Sequence, residues 1–113
     1  MSDPSRAALS LLGLGLRAGR VAVGVDAARE ALRRGVAEAI VLPVDAGARS
    51  RERLVALAGH RQVPILVGPV AEQLGAALGG RPPVHGVAVL DRQLARGLRQ
   101  VLAADSRGES RAG

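Results

Sequence analysis

The sequence predicts an α/β protein: a three-layer α/β/α sandwich built on a four-stranded mixed sheet. Helical patterns of about ten residues alternate with short β-rich runs along the whole chain. That alternation places helices on both faces of a sheet that is mainly parallel or mixed. The 113 residues, 48% hydrophobic and 23% charged, fit one domain that buries roughly 65% of its unfolded surface. We expect this domain over 1–104 and a disordered tail over 105–113, where the sequence DSRGESRAG is polar.

The first element is predicted to be a largely buried helix that follows a polar leader. Ser5 can cap it, and Gly19 can end it in a left-handed conformation. Gly13 and Gly15 lower its helix propensity by about 1 kcal/mol each, but they let another backbone approach closely. Its apolar positions cover more than one face: Ala8, Leu9, Leu11, Leu12 and Leu16.

A three-residue strand at most, Val21–Val23, comes next and is followed by a turn at Gly24. Glycine permits backbone angles that other residues avoid, so a sharp turn is expected there. Asp26 can then cap a helix over Ala27–Arg34, which stops at Gly35.

The rest of the chain repeats the alternation of strand and helix. Strands are expected at 39–42, 63–67 and 86–90, and the first of these is a continuous apolar run typical of a strand covered on both faces. The helices between and after them are expected to start at Ser50, Ala71 and Asp91. Their inward side chains are predicted to be Leu54, Leu57, Ala58, Leu74, Leu78, Leu94, Leu98 and Leu102.

The charge balance points to a polyanionic partner. The net charge is +6 and the pI is about 11.7. The chain contains no Lys, Asn, Thr or Cys, so its use of arginine also follows a general compositional bias, and a solvated basic surface is the plain alternative. The absence of aromatic residues excludes a platform on which bases stack, and the absence of cysteine excludes disulfides and thiolate metal sites.

No membrane segment is expected, and a cytoplasmic location is predicted. The apolar run Ala7–Leu16 is similar in length to the core of a signal peptide. However, Asp3 offsets Arg6 ahead of it, and Leu16 occupies a position where cleavage needs a small residue. No apolar run approaches the roughly 20 residues that span a bilayer.

No cofactor and no catalytic activity are expected. Gly13-x-Gly15-x-x-Ala18 matches the dinucleotide-binding fingerprint by letter, but it lies inside a helical pattern and precedes a strand, which is the reverse of the required order. His60 and His85 have no second ligand at metal spacing. Asp45 and Asp91 follow strands, where catalytic carboxylates often lie, yet a loop start and a helix cap explain them equally well.

Arginines cluster in three places that could form one basic surface. The helix after Gly24 carries Arg29, Arg33 and Arg34, and Arg81 lies in a rigid Gly/Pro-rich loop. Arg49, Arg51 and Arg53 open the third helix. If the turn and the loop share one end of the sheet, their backbone N–H groups and arginines are suited to phosphate contacts.

Several short pieces of the sequence match a known family: LLGL at 11–14, RAG at 17–19, Gly24, Gly35, DA at 45–46, VP at 63–64 and LG at 74–75. Through them the chain resembles the L-seven-Ae family of ribosomal proteins, and in particular its bacterial ribosome-associated members. This is the kink-turn RNA-binding superfamily that also includes L-thirty-e-like proteins. The similarity runs from about Leu9 to Leu102 in consistent order. It implies a three-layer α/β/α fold and a non-catalytic protein that binds structured RNA, such as rRNA or another ribosome-associated RNA.

The resemblance also implies where RNA binds. The first contact region is the turn and the basic helix after it: Gly24, Val25, Asp26, Ala27, Arg29 and Arg33. The second is the loop Gly80, Arg81 and Pro82. Kink-turn binders carry Gly, a hydroxyl residue, Asn and Glu at the turn, with Lys three positions beyond the Glu. Here only the glycine is kept: Asp26 cannot donate as Asn does, and Glu30 replaces Lys.

Two alternatives remain open. The same superfamily fold occurs in regulatory proteins that bind protein partners, and the altered turn would suit such an adaptor. The fold also serves as an RNA-positioning domain attached to rRNA methyltransferases, in which case the catalytic domain would be a separate partner.

Overall fold

A computed structural model describes residues 3–105 and confirms the predicted α/β class. Most of the predicted tail, from Ser106 onward, lies outside the described residues. The predicted strand bounds differ from the observed ones by one or two residues, as terminal positions commonly do. The elements are α1 (Pro4–Arg17), β1 (Val21–Val23), α2 (Val25–Arg34), β2 (Ala39–Pro43), α3 (Ala48–His60), β3 (Ile65–Gly68), α4 (Ala71–Ala77), β4 (Val87–Val89) and α5 (Arg92–Val101).

The four strands form one mixed sheet in the order β1-β4-β2-β3. Strand β4 is antiparallel to both β1 and β2, whereas β2 and β3 are parallel. This register brings the carboxyl ends of β1, β2 and β3 to the same end of the sheet as the start of β4. Gly24, Pro43, Gly68 and Gly86 lie at that end, which we call the rim.

Alternate side chains of the strands enter two separate cores, one on each face. Ile40 and Leu42 of β2 point toward α2 and α3. Val41 of β2 and Val87 of β4 point toward α1, α4 and α5. In the described chain both cores consist of aliphatic residues, as the composition predicts. The result is the expected sandwich, with α2 and α3 on one side of the sheet and the other helices opposite.

The caps of the first and last helices were predicted with mixed success. Asp3, not Ser5, is the N-cap of α1, because its carboxylate accepts the Ser5 backbone N–H at 3.0 Å. At α5 the prediction is confirmed: the Asp91 carboxylate accepts the Leu94 N–H at 2.9 Å. Asp3 was missed as a cap because the next residue, Pro4, was expected to belong to the polar leader. Proline in fact suits the first turn of a helix.

The predicted caps of α2 and α3 were wrong. Helix α2 begins at Val25 with Gly24 as N-cap, so Asp26 lies within its first turn. Helix α3 begins at Ala48 with Gly47 as N-cap, so Ser50 also lies within the helix. In both places a glycine takes the N-cap position, two residues before Asp26 in α2 and three residues before Ser50 in α3.

Gly13 and Gly15 lie inside α1 and serve close packing, as the sequence predicted. A Cβ on Gly13 would lie 3.3 Å from the Ala77 carbonyl of α4, and one on Gly15 would lie 2.5 Å from the Leu94 side chain of α5. The fingerprint-like spacing therefore follows from α1 packing between two neighbouring helices.

The chain beyond α5 covers the edge of the sheet at β3. The Val67 N–H donates to the Ala103 carbonyl at 2.9 Å, and the Asp105 N–H donates to the Ile65 carbonyl at 2.8 Å. Asp105 is buried, and its carboxylate pairs with Arg51 of α3. The first residue of the predicted tail is thus part of the packed structure, and the open edge of β3 is paired.

Candidate nucleic-acid interface

The turn after β1 and the segment that enters β4 meet at the rim. The Gly24 N–H donates to the Gly86 carbonyl at 2.8 Å, which ties the two together. At the same end of the sheet, the Asp45 carboxylate accepts the Ala71 N–H at 2.9 Å and joins the β2–α3 loop to the start of α4. Three helices therefore begin at the same end of the sheet.

Gly24 has a backbone conformation that only glycine adopts easily. Its φ is 107° and its ψ is 155°, and the space where a Cβ would lie is open. The Gly24 carbonyl accepts the Ala28 N–H at 2.9 Å, which starts the helical ladder. The turn therefore places the first amides of α2 directly at the rim.

Helices α2 and α3 present neighbouring amino ends without side-chain caps. Within residues 3–105 no side chain caps α2 at Gly24 or α3 at Gly47. The first backbone N–H groups of each helix therefore have no acceptor within the helix, and in α2 these are the N–H groups of Val25, Asp26 and Ala27. Because the two helices pack against each other, the positive ends of their dipoles lie side by side. Such helix ends favour anions, and phosphate in particular.

An ion pair links the first turn of α2 to the second turn of α3. Arg53 of α3 donates to the Asp26 carboxylate of α2 at 2.7 Å, and the Asp26 side chain is 88% exposed. This contact offsets the negative charge at the turn and holds a guanidinium beside it. The sequence indicated only that Arg53 lies near the start of α3, because a partner 27 residues away leaves no local signal.

Arg29 and Arg33 follow α2 away from the rim. With a rise of 1.5 Å per residue they lie about 6 and 12 Å from Val25 along the helix axis. Arg29 is half-buried and Arg33 is exposed. The backbone carbonyl of Arg33 accepts the Arg61 guanidinium at 2.6 Å, so this end of α2 is fixed to the end of α3.

The loop Gly80–Pro82 runs alongside α4, and the chain reaches the rim only after it. The Arg81 N–H donates to the Gly75 carbonyl at 2.8 Å, and the Arg81 guanidinium caps the Leu78 carbonyl at 2.7 Å. A Cβ on Gly75 would lie 2.2 Å from the Pro82 carbonyl oxygen. The Val84 N–H then donates to the Ala71 carbonyl at 3.0 Å, at the rim.

The acidic and histidine side chains have structural surroundings. Across the described part of the chain, no group of three His, Cys, Asp or Glu residues could hold a metal ion. Asp45 accepts a backbone N–H of α4, and Asp91 caps α5 and lies 3.4 Å from the Arg20 guanidinium. His60 and His85 are both exposed. Among the helices of residues 3–105, none combines the length and apolarity needed to cross a bilayer.

Comparison with known proteins identifies the family. The model of the Ribosomal protein L7Ae/L30e/S12e/Gadd45 family matches residues 6–98, which include the whole rim. The chain belongs to this family. The resemblance drawn from the sequence is therefore confirmed. Among curated protein sequences, none matches the chain.

Two solved structures of similar proteins support the same fold for this L7Ae-family chain. A protein of unknown function from Bacillus halodurans C is 30% identical, with a TM-score of 0.77 over 83% of this chain and 94% of its own. The 15.5kD RNA binding protein of Giardia lamblia is 19% identical, with a TM-score of 0.74 over 89% of this chain and 86% of its own.

Proposed function

We propose that this L7Ae-family chain binds structured RNA without catalysing a reaction, and that the rim is its contact surface. The contact begins at the turn Gly24–Ala27, where Arg53 is an added donor, and it extends from the rim to Arg29 and Arg33 along α2 and to the loop Gly80–Pro82. The observation that carries the proposal is the pair of uncapped helix ends, with the Arg53 guanidinium held beside them. Family membership and the fold shared with an RNA-binding protein support it.

The chemistry of the rim favours phosphate contacts over base contacts. Backbone amides and guanidinium groups donate to phosphate oxygens, whereas Ala27 offers no polar group to a base. Asp26 can only accept, and it is already engaged by Arg53. We therefore propose a ribosomal or ribosome-associated RNA as ligand, in the cytoplasm, with strong salt dependence and a modest preference for kink-turns over plain duplexes.

Charge changes on α2 test this proposal. Arg29→Glu and Arg33→Glu are each expected to weaken binding of a kink-turn RNA about tenfold at low salt, because each replaces an attraction to phosphate by a repulsion. Glu30→Lys on the same helix is expected to strengthen it, because it removes the exposed carboxylate between them. Fluorescence anisotropy with labelled RNA measures all three, and circular dichroism checks that each variant is folded.

Unchanged affinity in all three variants would contradict a contact along α2. If the wild-type chain binds no structured RNA even at low salt, the proposed function is wrong. Partners that stay bound in a pull-down after nuclease digestion would in that case support the protein-adaptor alternative.

A further inference from the structure

A second basic surface lies on the opposite side of the sheet from α2 and α3. The exposed side chains of α5 are all arginine or glutamine, and none is acidic: Arg92, Gln93, Arg96, Arg99 and Gln100. Residues at spacings of four and three share one side of a helix, so the three arginines form a single stripe about 10 Å long. Ala95 and Leu98 are buried on the other side of α5. The exposed side of α5 therefore carries two kinds of polar group, positively charged guanidinium groups and uncharged amides.

Helix α1 extends this surface. It packs against α5 where Leu94 lies over Gly15, and where Leu11 lies within 3.6 Å of the Cβ position of Gly97. The outer side of α1 is an exposed line with an arginine near each end: Arg6, Ser10, Leu14 and Arg17. We call the outer side of α1 and α5 the α1–α5 face.

Most of the net charge of the described chain lies on this face. Residues 3–105 contain fourteen arginines and nine acidic residues. The segments 3–20 and 91–102 alone hold six of these arginines and only two aspartates. Both aspartates are engaged, since Asp3 caps α1 and Asp91 caps α5 and pairs with Arg20. At the other side of the sheet, by contrast, Arg51 and Arg53 are paired with carboxylates.

We propose that the α1–α5 face is a second RNA-binding surface, which contacts the phosphate backbone of a duplex independently of its sequence. A nucleic-acid duplex carries one negative charge about every 1.7 Å of its axis, so a 10 Å stripe of arginines meets several phosphates. The turn after β1 and the basic helix α2 lie across the sheet from this face, so the face is free when they are occupied. One copy of the chain would then hold two RNA segments at once.

The chemistry of the face favours a phosphate backbone over other partners. A membrane-binding helix would carry a broad exposed apolar side, but on this face only Leu14 is a large exposed hydrophobic residue, at 56%. Specific protein interfaces are centred on aromatic and apolar anchors, which are absent from the exposed side of α5. Arginines with neighbouring glutamines instead match the donors that contact phosphate and sugar oxygens.

Two triple variants with the same loss of charge test the inference, which rests on RNA being the ligand. The first is Arg92→Gln with Arg96→Gln and Arg99→Gln on α5. The second, which we call the rim variant, is Arg29→Gln with Arg33→Gln on α2 and Arg53→Gln on α3. For a plain RNA duplex, the α5 variant is expected to lower the slope of log K against log salt by about 2 to 3, because three phosphate contacts are lost. The rim variant is expected to lower kink-turn affinity more than duplex affinity.

A bridging assay gives a second readout. Wild-type protein is expected to bring a donor-labelled kink-turn RNA and an acceptor-labelled duplex together, and the α5 variant is expected to bind the kink-turn alone. A folded α5 variant with the wild-type salt slope would overturn the inference while leaving the proposed function intact. A rim variant that retains full kink-turn affinity would contradict RNA binding at the rim, but it would not contradict RNA binding at the α1–α5 face. Wild-type protein that binds neither RNA would contradict both.

Discussion

At the scale of single residues, Gly24 determines how the rim is built. Its φ of 107° lets the chain pass from β1 directly into α2, so the first amides of the helix lie at the end of the sheet. Gly47 provides a comparison within the same molecule, since it caps α3 with a φ of −70°, which any residue adopts. Neither glycine has a neighbouring atom within 4 Å of its Cβ position.

The pair of substitutions Gly24→Ala and Gly47→Ala isolates this backbone requirement. Because space is open at both sites, a difference between them reports conformational strain and not a clash. Both substitutions replace an N-cap glycine, but only Gly24 has a φ that strains alanine, so Gly24→Ala is expected to lower the free energy of unfolding by about 1–3 kcal/mol more than Gly47→Ala. Urea denaturation followed by circular dichroism measures both. Equal effects of the two substitutions would show that the conformation of Gly24 is not required.

The turn also shows what a sequence reveals about a site and what it hides. The glycine at the turn could be predicted, because strand, glycine and helix follow one another within a few residues. The contact between Asp26 and Arg53 could not, since it depends on how α2 packs against α3. The turn itself lacks side chains that donate hydrogen bonds. The guanidinium that lies beside it belongs to Arg53, in a different part of the chain.

At the scale of elements, helix α4 depends on a neighbouring loop. It is seven residues long, too short to be stable by itself, and its own N-cap is Val70, which has no side-chain acceptor. Asp45 supplies that acceptor from the β2–α3 loop. The sequence indicated only that Asp45 begins a loop, because a cap from another element has no characteristic spacing.

Removing this external cap is expected to loosen α4 in particular. Asp45→Ala should lower the free energy of unfolding by about 0.5–2 kcal/mol, the usual cost of losing a helix cap. Asp45→Asn keeps an acceptor oxygen and is the matched control, with a smaller expected effect. Hydrogen exchange of the Ala71 amide should speed up in the alanine variant. If exchange at Ala71 is the same in both variants and the wild type, the contact does not stabilise α4.

The order and type of the elements were predicted correctly because the patterns that define them are local. Apolar spacing separated the five helices from the four strands. The starts of α2 and α3 were predicted too late, since Asp26 and Ser50 are good capping residues that here lie within the first turn of their helices. In both helices a preceding glycine takes the N-cap position, although aspartate and serine also have a strong intrinsic preference for it.

At the scale of the whole molecule, the sheet order decides which segments meet. Strand β4 inserts between β1 and β2, so the turn at Gly24 lies beside Gly86 although 62 positions separate them in sequence. The sequence predicted a mixed four-stranded sheet but not this order, because long-range strand pairing leaves little trace in local patterns. The same topology separates the basic residues into the rim and the α1–α5 face.

The most direct test of the central claim is to map RNA contacts on the folded chain by NMR. ¹⁵N-labelled protein is titrated with a short kink-turn RNA at low salt, and the backbone amide signals are followed. The account predicts that the amides of Gly24, Val25, Asp26 and Ala27 shift and saturate at one RNA per chain. Saturation with these four signals unmoved, or no change in any signal, would contradict RNA binding at the rim.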